Sequence, residues 1–433
     1  MQTPPAEHAS SGVFSRHNLL SLYLPALTLA IGAGVATPAI PVFAKSFDVS
    51  VGVASLVFVA NLLGGMCSTI PTGILVDRIG RRRVIIAGPL LVAVSAFLMA
   101  TATSFPQVLV YQFIAGWAQS MWTLSRLAMI ADTGGDRQRG RQITAMVGVE
   151  SAGRLLGPAF GGVLAVLYGI QAPFVALGLL ALVSVIPSVA LIKESAPGLR
   201  AGDRAISGSW RATMVVLLTA TVLWFFLAQY LSSITRGVLF VGSVHLYPVY
   251  VYGAGAGTIG VISTIAGVVG LPITFMMGAV MDRFGRRATV VPGFLLLGVA
   301  LAFAAYTDFA HLGFETYVVA FVLVMAAQSI TSGNMQVIGS DIAPAHVRGR
   351  FFGIWQLIGQ LGTTSSPVAF AFLAEVSGYT ASFAFLSLTS FTTAFVLMVL
   401  VGETLRRGPT GRTASDHAAQ ASPATGPAPR GEV

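Results

Sequence analysis

Apolar positions along this chain neither alternate nor return at a helical period. They fill runs of about twenty residues or more, separated by short polar joints, and a run of that length crosses about 30 Å of hydrocarbon as an α-helix. The runs cover 19–43, 51–76, 84–102, 106–131, 143–167 and 173–192, and then a polar stretch intervenes. After it, one run lies within 214–251, followed by 257–281, 289–306, 314–339, 351–373 and 383–401. The pattern predicts an all-α integral membrane protein with twelve transmembrane helices in two six-helix bundles. It divides the chain into a tail 1–18, a bundle 19–192, a linker 193–211, a second bundle 212–402 and a tail 403–433, the linker and last tail being flexible by composition. The seventh run is long enough for two short helices if it broke near Ser232 and Ser233.

Composition agrees with the pattern: of 433 residues 55% are hydrophobic and 9% charged, with a mean hydropathy of +0.80. A soluble domain carries about a quarter charged residues. The net charge of +9 does not point to nucleic acid, because the basic residues cluster in the joints and form no basic, aromatic-rich face. They set orientation instead. Placing the basic joints at 78–83, 137–141, 193–211, 283–287 and 348–350 in the cytoplasm requires an even number of crossings between Arg211 and Arg283, so the seventh run should be one long tilted span. Both termini are then cytoplasmic and the chain sits in the cell (inner) membrane, with Lys45 alone among 25 Lys and Arg in an outer loop and Arg126, Arg154 and Arg236 within spans. Arg16 and His17 precede the first run as in a secretory signal, but that run exceeds the roughly 7–15 residues of a signal core and should be a retained span.

Little in the chain suggests catalysis. The single cysteine, Cys67, permits no internal disulfide and no metal cluster. The only lysines, Lys45 and Lys193, follow no glycine-rich phosphate loop, and the six histidines are scattered. No cofactor and no enzymatic activity are expected; the expected partners are a small-molecule substrate, protons and the lipid bilayer, with the monomer as functional unit.

Two stretches recur. GILVDRIGRRR from Gly73 returns as GAVMDRFGRR from Gly278, a displacement of 205, and DTGGDRQRGR from Asp132 returns as DIAPAHVRGR from Asp341, a displacement of 209. Parallel six-span halves related by a pseudo-two-fold axis are one known architecture of secondary transporters, with substrate bound near the midplane between them. On these residues the chain resembles the major facilitator superfamily over about 19–401. The resemblance implies that Gly73, Asp77, Arg78, Gly80 and Arg81, with Gly278, Asp282, Arg283, Gly285 and Arg286, form a latch that stabilises the outward-facing state; as bare membrane anchors they would need no fixed Gly and Asp. Gly73 and Gly278 would permit close helix approach.

A second motif, GRLLGPAFGG, places Gly153, Gly157, Pro158, Gly161 and Gly162 in span five and resembles the drug:proton antiporter group. The resemblance implies proton-coupled efflux of a lipophilic or amphipathic compound by alternating access. The alternatives are uptake or uniport of a small metabolite, anionic or not, and a non-transporting receptor or lipid-handling protein on the same fold. One departure stands: where antiporters of this group carry an arginine, four residues before Gly116, this chain has Gln112.

Charges inside spans need partners. Arg126 lies near the end of span four, where snorkelling or a pair with Asp132 would serve it. Glu150 is the one deep carboxylate and stands four residues before Arg154, the favourable order for a helical ion pair, so the two are the proton-coupling candidates. Arg236 is then left to face the central cavity, and Gln119, Trp122, Tyr230, Asn334, Gln356 and Gln360 are further candidates for its lining.

Overall fold

The computed structural model describes residues 18–133, 136–192, 217–342 and 348–401, and among them every regular element is a helix. The linker and nearly all of both tails lie outside the described residues. Ten runs are long and apolar enough to cross a membrane, and the last, Phe351–Val401, is interrupted at Gly378 by a φ of 84°. Gly378 therefore separates spans eleven and twelve. Span four is the 29-residue helix Phe105–Thr133, which brings the crossings among the described residues to twelve.

Span one is Leu24–Ala36 and, beyond Thr37 and Pro38, Ala39–Lys45. Pro38 has no N–H to continue the ladder, and Thr37 closes the first segment with its N–H on Ala33 and Gly34 and its hydroxyl on Ala33. Span seven repeats this design. Ala220–Val241 ends at Gly242, in the left-handed region at φ 82°, and a 3-10 turn Ser243–His245 leads into the six-residue helix Leu246–Val251. It is one crossing with a short terminal helix, and the break falls at Gly242, not near Ser232 and Ser233. Ser232 lies within the helix, its hydroxyl turned back onto the Gln229 carbonyl at 2.9 Å. The 205-residue displacement that relates the basic loops also relates Thr37 to Gly242.

In the first half span one packs on spans five and six, span four on two and three, and span three on six. In the second, span seven packs on eleven and span nine on ten. With no hydrophobic drive between helices in lipid, close backbone approach and hydroxyl bonds hold such contacts. A side chain at Gly64 would strike the Phe113 carbonyl and one at Gly116 the Asn61 carbonyl, so spans two and four meet backbone to backbone. Ser366 binds the Ile234 carbonyl at 2.6 Å, and Ser387 and Ser390 bind those of Gly298 and Phe294 at 2.8 and 2.7 Å. These tie spans eleven and twelve to seven and nine.

The basic loop between spans two and three turns on Gly80 at φ 91°, ψ 160°, and its copy between eight and nine on Gly285 at φ 103°, ψ 164°. That region is open essentially to glycine alone, so one glycine of the repeated motif is required by the turn itself. Arg78 and Arg283 are exposed at the ends of their helices. Arg286 donates to Asp341 at 3.2 Å, joining the second copy of the loop to the end of span ten. Arg81, its counterpart, is buried at 5% exposure. The side chains of Asp77, Asp282 and Asp132, and the packing around Gly278, lie outside the described structure. Gly73 does not make the expected close approach here: nothing lies within 4 Å of the place a side chain would take.

Candidate functional site

Contacts between the two halves gather at the end of the molecule away from the basic loops. Lys45, closing span one, reaches across to the Val249 carbonyl at 2.8 Å and lies over the Tyr250 ring, while Tyr250 donates to the Val49 carbonyl at 2.8 Å. Leu246 is buried among Phe43, Val57 and Phe174 of the opposite half. The Glu375 carboxylate of span eleven lies against Gly52, in the first turn of span two, and a side chain at Gly242 would rest 3.4 Å from Thr37. The positive end of span two faces that carboxylate. Further into the bundle Thr364 of span eleven donates to the Met66 sulfur of span two at 3.2 Å.

The glycine motif of span five divides between two neighbours. Gly153, Gly157 and Gly161 recur every four residues on one face and meet span one, where a side chain at Gly161 would enter the Val35 carbonyl and one at Gly157 would meet Gly34. Gly162 faces the other way. Its missing side chain leaves room for Ala256 and Gly257 of span eight at 3.1 Å, and the Pro158 carbonyl comes up against Gly260. The motif thus packs span five within its own half and across to the other.

Beneath this seal a cavity of about 600 Å³ lies between the halves. Spans one, four and five contribute Thr37, Tyr111, Gln112, Gln119, Ser151 and Arg154; spans seven, eight and ten contribute Phe240, His245, Ser263, Thr274 and Ser329. Its size and mixed wall, apolar with a few polar groups, suit a small organic molecule. Gln112, at the position where the antiporter group has arginine, is held by Asn61 of span two through a 3.1 Å amide bond.

Of the candidates named from sequence, Gln119 and Arg154 stand on the cavity wall. Glu150 does not pair with Arg154. Arg126 donates to it from span four, and the same guanidinium lies 5.4 Å from the Trp122 ring centre. A helical pair four residues apart is worth about 0.2–0.5 kcal/mol at an exposed site, less than the cost of leaving a buried arginine within a span without counter-charge. Arg126 is 4% exposed and takes the carboxylate. Arg154, free to face the cavity, stacks on Phe240 of span seven at 5.7 Å.

Arg236 is off the cavity wall, with its Nε buried and without a hydrogen-bond partner. Span seven presents Leu239, Phe240 and Val241 to the cavity instead. Trp122 is buried beneath Arg126 in the first-half core. Tyr230 packs on the second-half core, and Asn334 spends its amide on the Ile330 carbonyl at 2.9 Å. Gln356 and Gln360 are likewise off the wall.

Among the wall residues that the sequence did not single out is a histidine. His245 sits in the turn after Gly242, 4% exposed, its Nε2 3.2 Å from the Ser263 hydroxyl and its Nδ1 without a hydrogen-bond partner. The signal available was the 205-residue displacement, which sets this turn opposite the proline break of span one.

Two six-helix bundles with a cavity between them are an architecture known from secondary transporters. The sequence model of the Major Facilitator Superfamily matches residues 22–270 and 212–429, and the chain belongs to that family. It is similar to the quinolone resistance protein NorA of Staphylococcus aureus (strain MRSA252), 26% identical over 214 residues, 49% of this chain and 55% of that one. The chain thus spans about half the length of these relatives. An uncharacterized MFS-type transporter of Methanocaldococcus jannaschii, MJ1560, is 19% identical over 388 residues, 88% of this chain and 97% of that one. Among solved structures, a D-xylose-proton symporter superposes with a TM-score of 0.72 at 18% identity, covering 91% of this chain and 99% of that one. The human organic anion transporter MFSD10 superposes with a TM-score of 0.62 at 19% identity, covering 88% and 99%.

Proposed function

We propose that the protein is a secondary active exporter, moving an amphipathic organic compound out of the cell in exchange for protons by alternating access. The observation that carries the reading is the cavity between the halves, sealed across spans one, two, seven and eleven at one end. With the basic loops in the cytoplasm, that seal is external and this conformation faces inward. The open space beside Gly73 fits a latch disengaged in this state and engaged in the other. The likeness to a quinolone resistance protein favours efflux over uptake.

Proton coupling is assigned to Glu150. Its carboxylate is partly exposed, its partner Arg126 is buried, and the pair bridges spans four and five. Protonating Glu150 leaves the Arg126 guanidinium, among the described residues, with the Trp122 face alone, which breaks the bridge between spans four and five. Span five also carries Arg154 into the cavity and Gly162 against span eight, so a shift at Glu150 reaches both the substrate site and the contact between halves. A proton and a substrate thereby bias the same helix. In proteoliposomes, Glu150→Gln should abolish the dependence of transport on an imposed pH gradient while leaving substrate exchange and binding in place. Full gradient-driven accumulation by this variant would reduce the pair to a structural bridge.

A further inference from the structure

We infer that the substrate carries an acidic head, a carboxylate or a similar oxyanion, which Arg154 receives while an aromatic or aliphatic body lies along the cavity wall. The inference rests on the cavity being the transport site.

Arg154 projects from span five with its side chain exposed, and among the described residues it makes no ion pair or hydrogen bond; its one neighbour of note is the Phe240 face at 5.7 Å. Among the described residues, no aspartate or glutamate stands on the wall with it. The carboxylate nearest along its own helix, Glu150, is occupied by Arg126. The other polar groups on the wall are amides and hydroxyls, such as Gln119, Ser263 and Ser329, together with the His245 imidazole, none of which offers Arg154 a negative charge. A guanidinium set in such a cavity offers a fork of donors that suits a planar carboxylate and cannot be neutralised by losing its proton.

Three classes of ligand fare differently here. A cation would meet the like charge of Arg154 and find no carboxylate on the wall. A neutral compound can offer the guanidinium a carbonyl acceptor but no counter-charge, and such a bond is weaker than the bidentate pair a carboxylate makes. An anion answers the charge and the donors together, in surroundings where charge-assisted bonds are strong. Phe240, Leu155, Leu239 and Phe321 then offer apolar surface from both halves for the body of the molecule. An acid bound this way touches span five and span seven at once, the two helices that must part when the halves rock.

The test uses the purified full-length protein and three fluorescent probes of one body and different heads: dansylglycine, its methyl ester, and dansylcadaverine, as anion, neutral compound and cation. Binding is read by fluorescence anisotropy. Dansylglycine should bind at least tenfold more tightly than the other two, and Arg154→Gln should remove most of that difference by weakening dansylglycine alone. Arg154→Lys should keep the preference for the anion. Equal or tighter binding of dansylcadaverine to the wild type would overturn the inference, as would an equal loss for all three probes in Arg154→Gln. The wild-type ranking stands without the variants if they fold poorly. Anion-selective binding without gradient-driven transport would retain the acidic head and sink the exporter reading; gradient-driven export of dansylcadaverine but not dansylglycine would do the reverse.

Discussion

Arg126, Glu150 and Arg154 stand on two adjacent helices, and burial decides which of them pair. Sequence spacing favours Glu150 with Arg154, but spacing describes one helix, and the deciding term is the desolvation of Arg126, which belongs to another. That is why the presence of charges within the spans was legible in the chain while their partners were not. Arg236 was assigned to the cavity by elimination and fails for the same reason, since the count of charges carries no information on which face of span seven looks inward. Glycine is easier to read. At Gly80 and Gly285 the backbone lies where a side chain is strained by about 1–3 kcal/mol. Gly80→Ala and Gly285→Ala should each lower thermal stability in detergent, and scanning fluorimetry on purified protein checks this. An unchanged melting temperature would mean that the turn relaxes without cost.

At the scale of the element, long apolar runs fixed the helices to within a few residues at most ends, because crossing hydrocarbon demands a length that few other structures share. The breaks were harder. Pro38 marks its own interruption in span one, while Gly242 looks like any of the 48 glycines until its place opposite Thr37 is noticed. The span-five motif was visible as a packing face, but only the neighbours show that Gly161 serves span one and Gly162 serves span eight. A methyl group at Gly161 would enter a backbone carbonyl, whereas at Gly73 it would enter open space. Gly161→Ala should therefore destabilise the protein by about 1–3 kcal/mol, the usual cost of overpacking. Gly73→Ala should leave the melting temperature unchanged. Equal stability of the two variants would contradict the assigned contact.

For the whole molecule, the duplication visible in the sequence becomes two bundles whose contact is confined, among the contacts described above, to one end and the midplane. Transport by such a body requires that the seal open, since a cavity closed at the same end throughout connects to one side only. Under the proposed alternating access, the contact between spans two and eleven must therefore break in every cycle. The place to test it is Gly52 and Glu375, whose carboxylate lies against the glycine and away from the cavity wall. Gly52→Cys with Glu375→Cys, in a Cys67→Ser background, puts a disulfide across the seal on oxidation. The measurement is substrate flux in proteoliposomes before oxidation, after it, and after reduction. Flux should be lost when the bond forms and return when it is reduced, with each single-cysteine variant unaffected by the oxidant; undiminished flux through fully cross-linked protein would contradict alternating access at this seal.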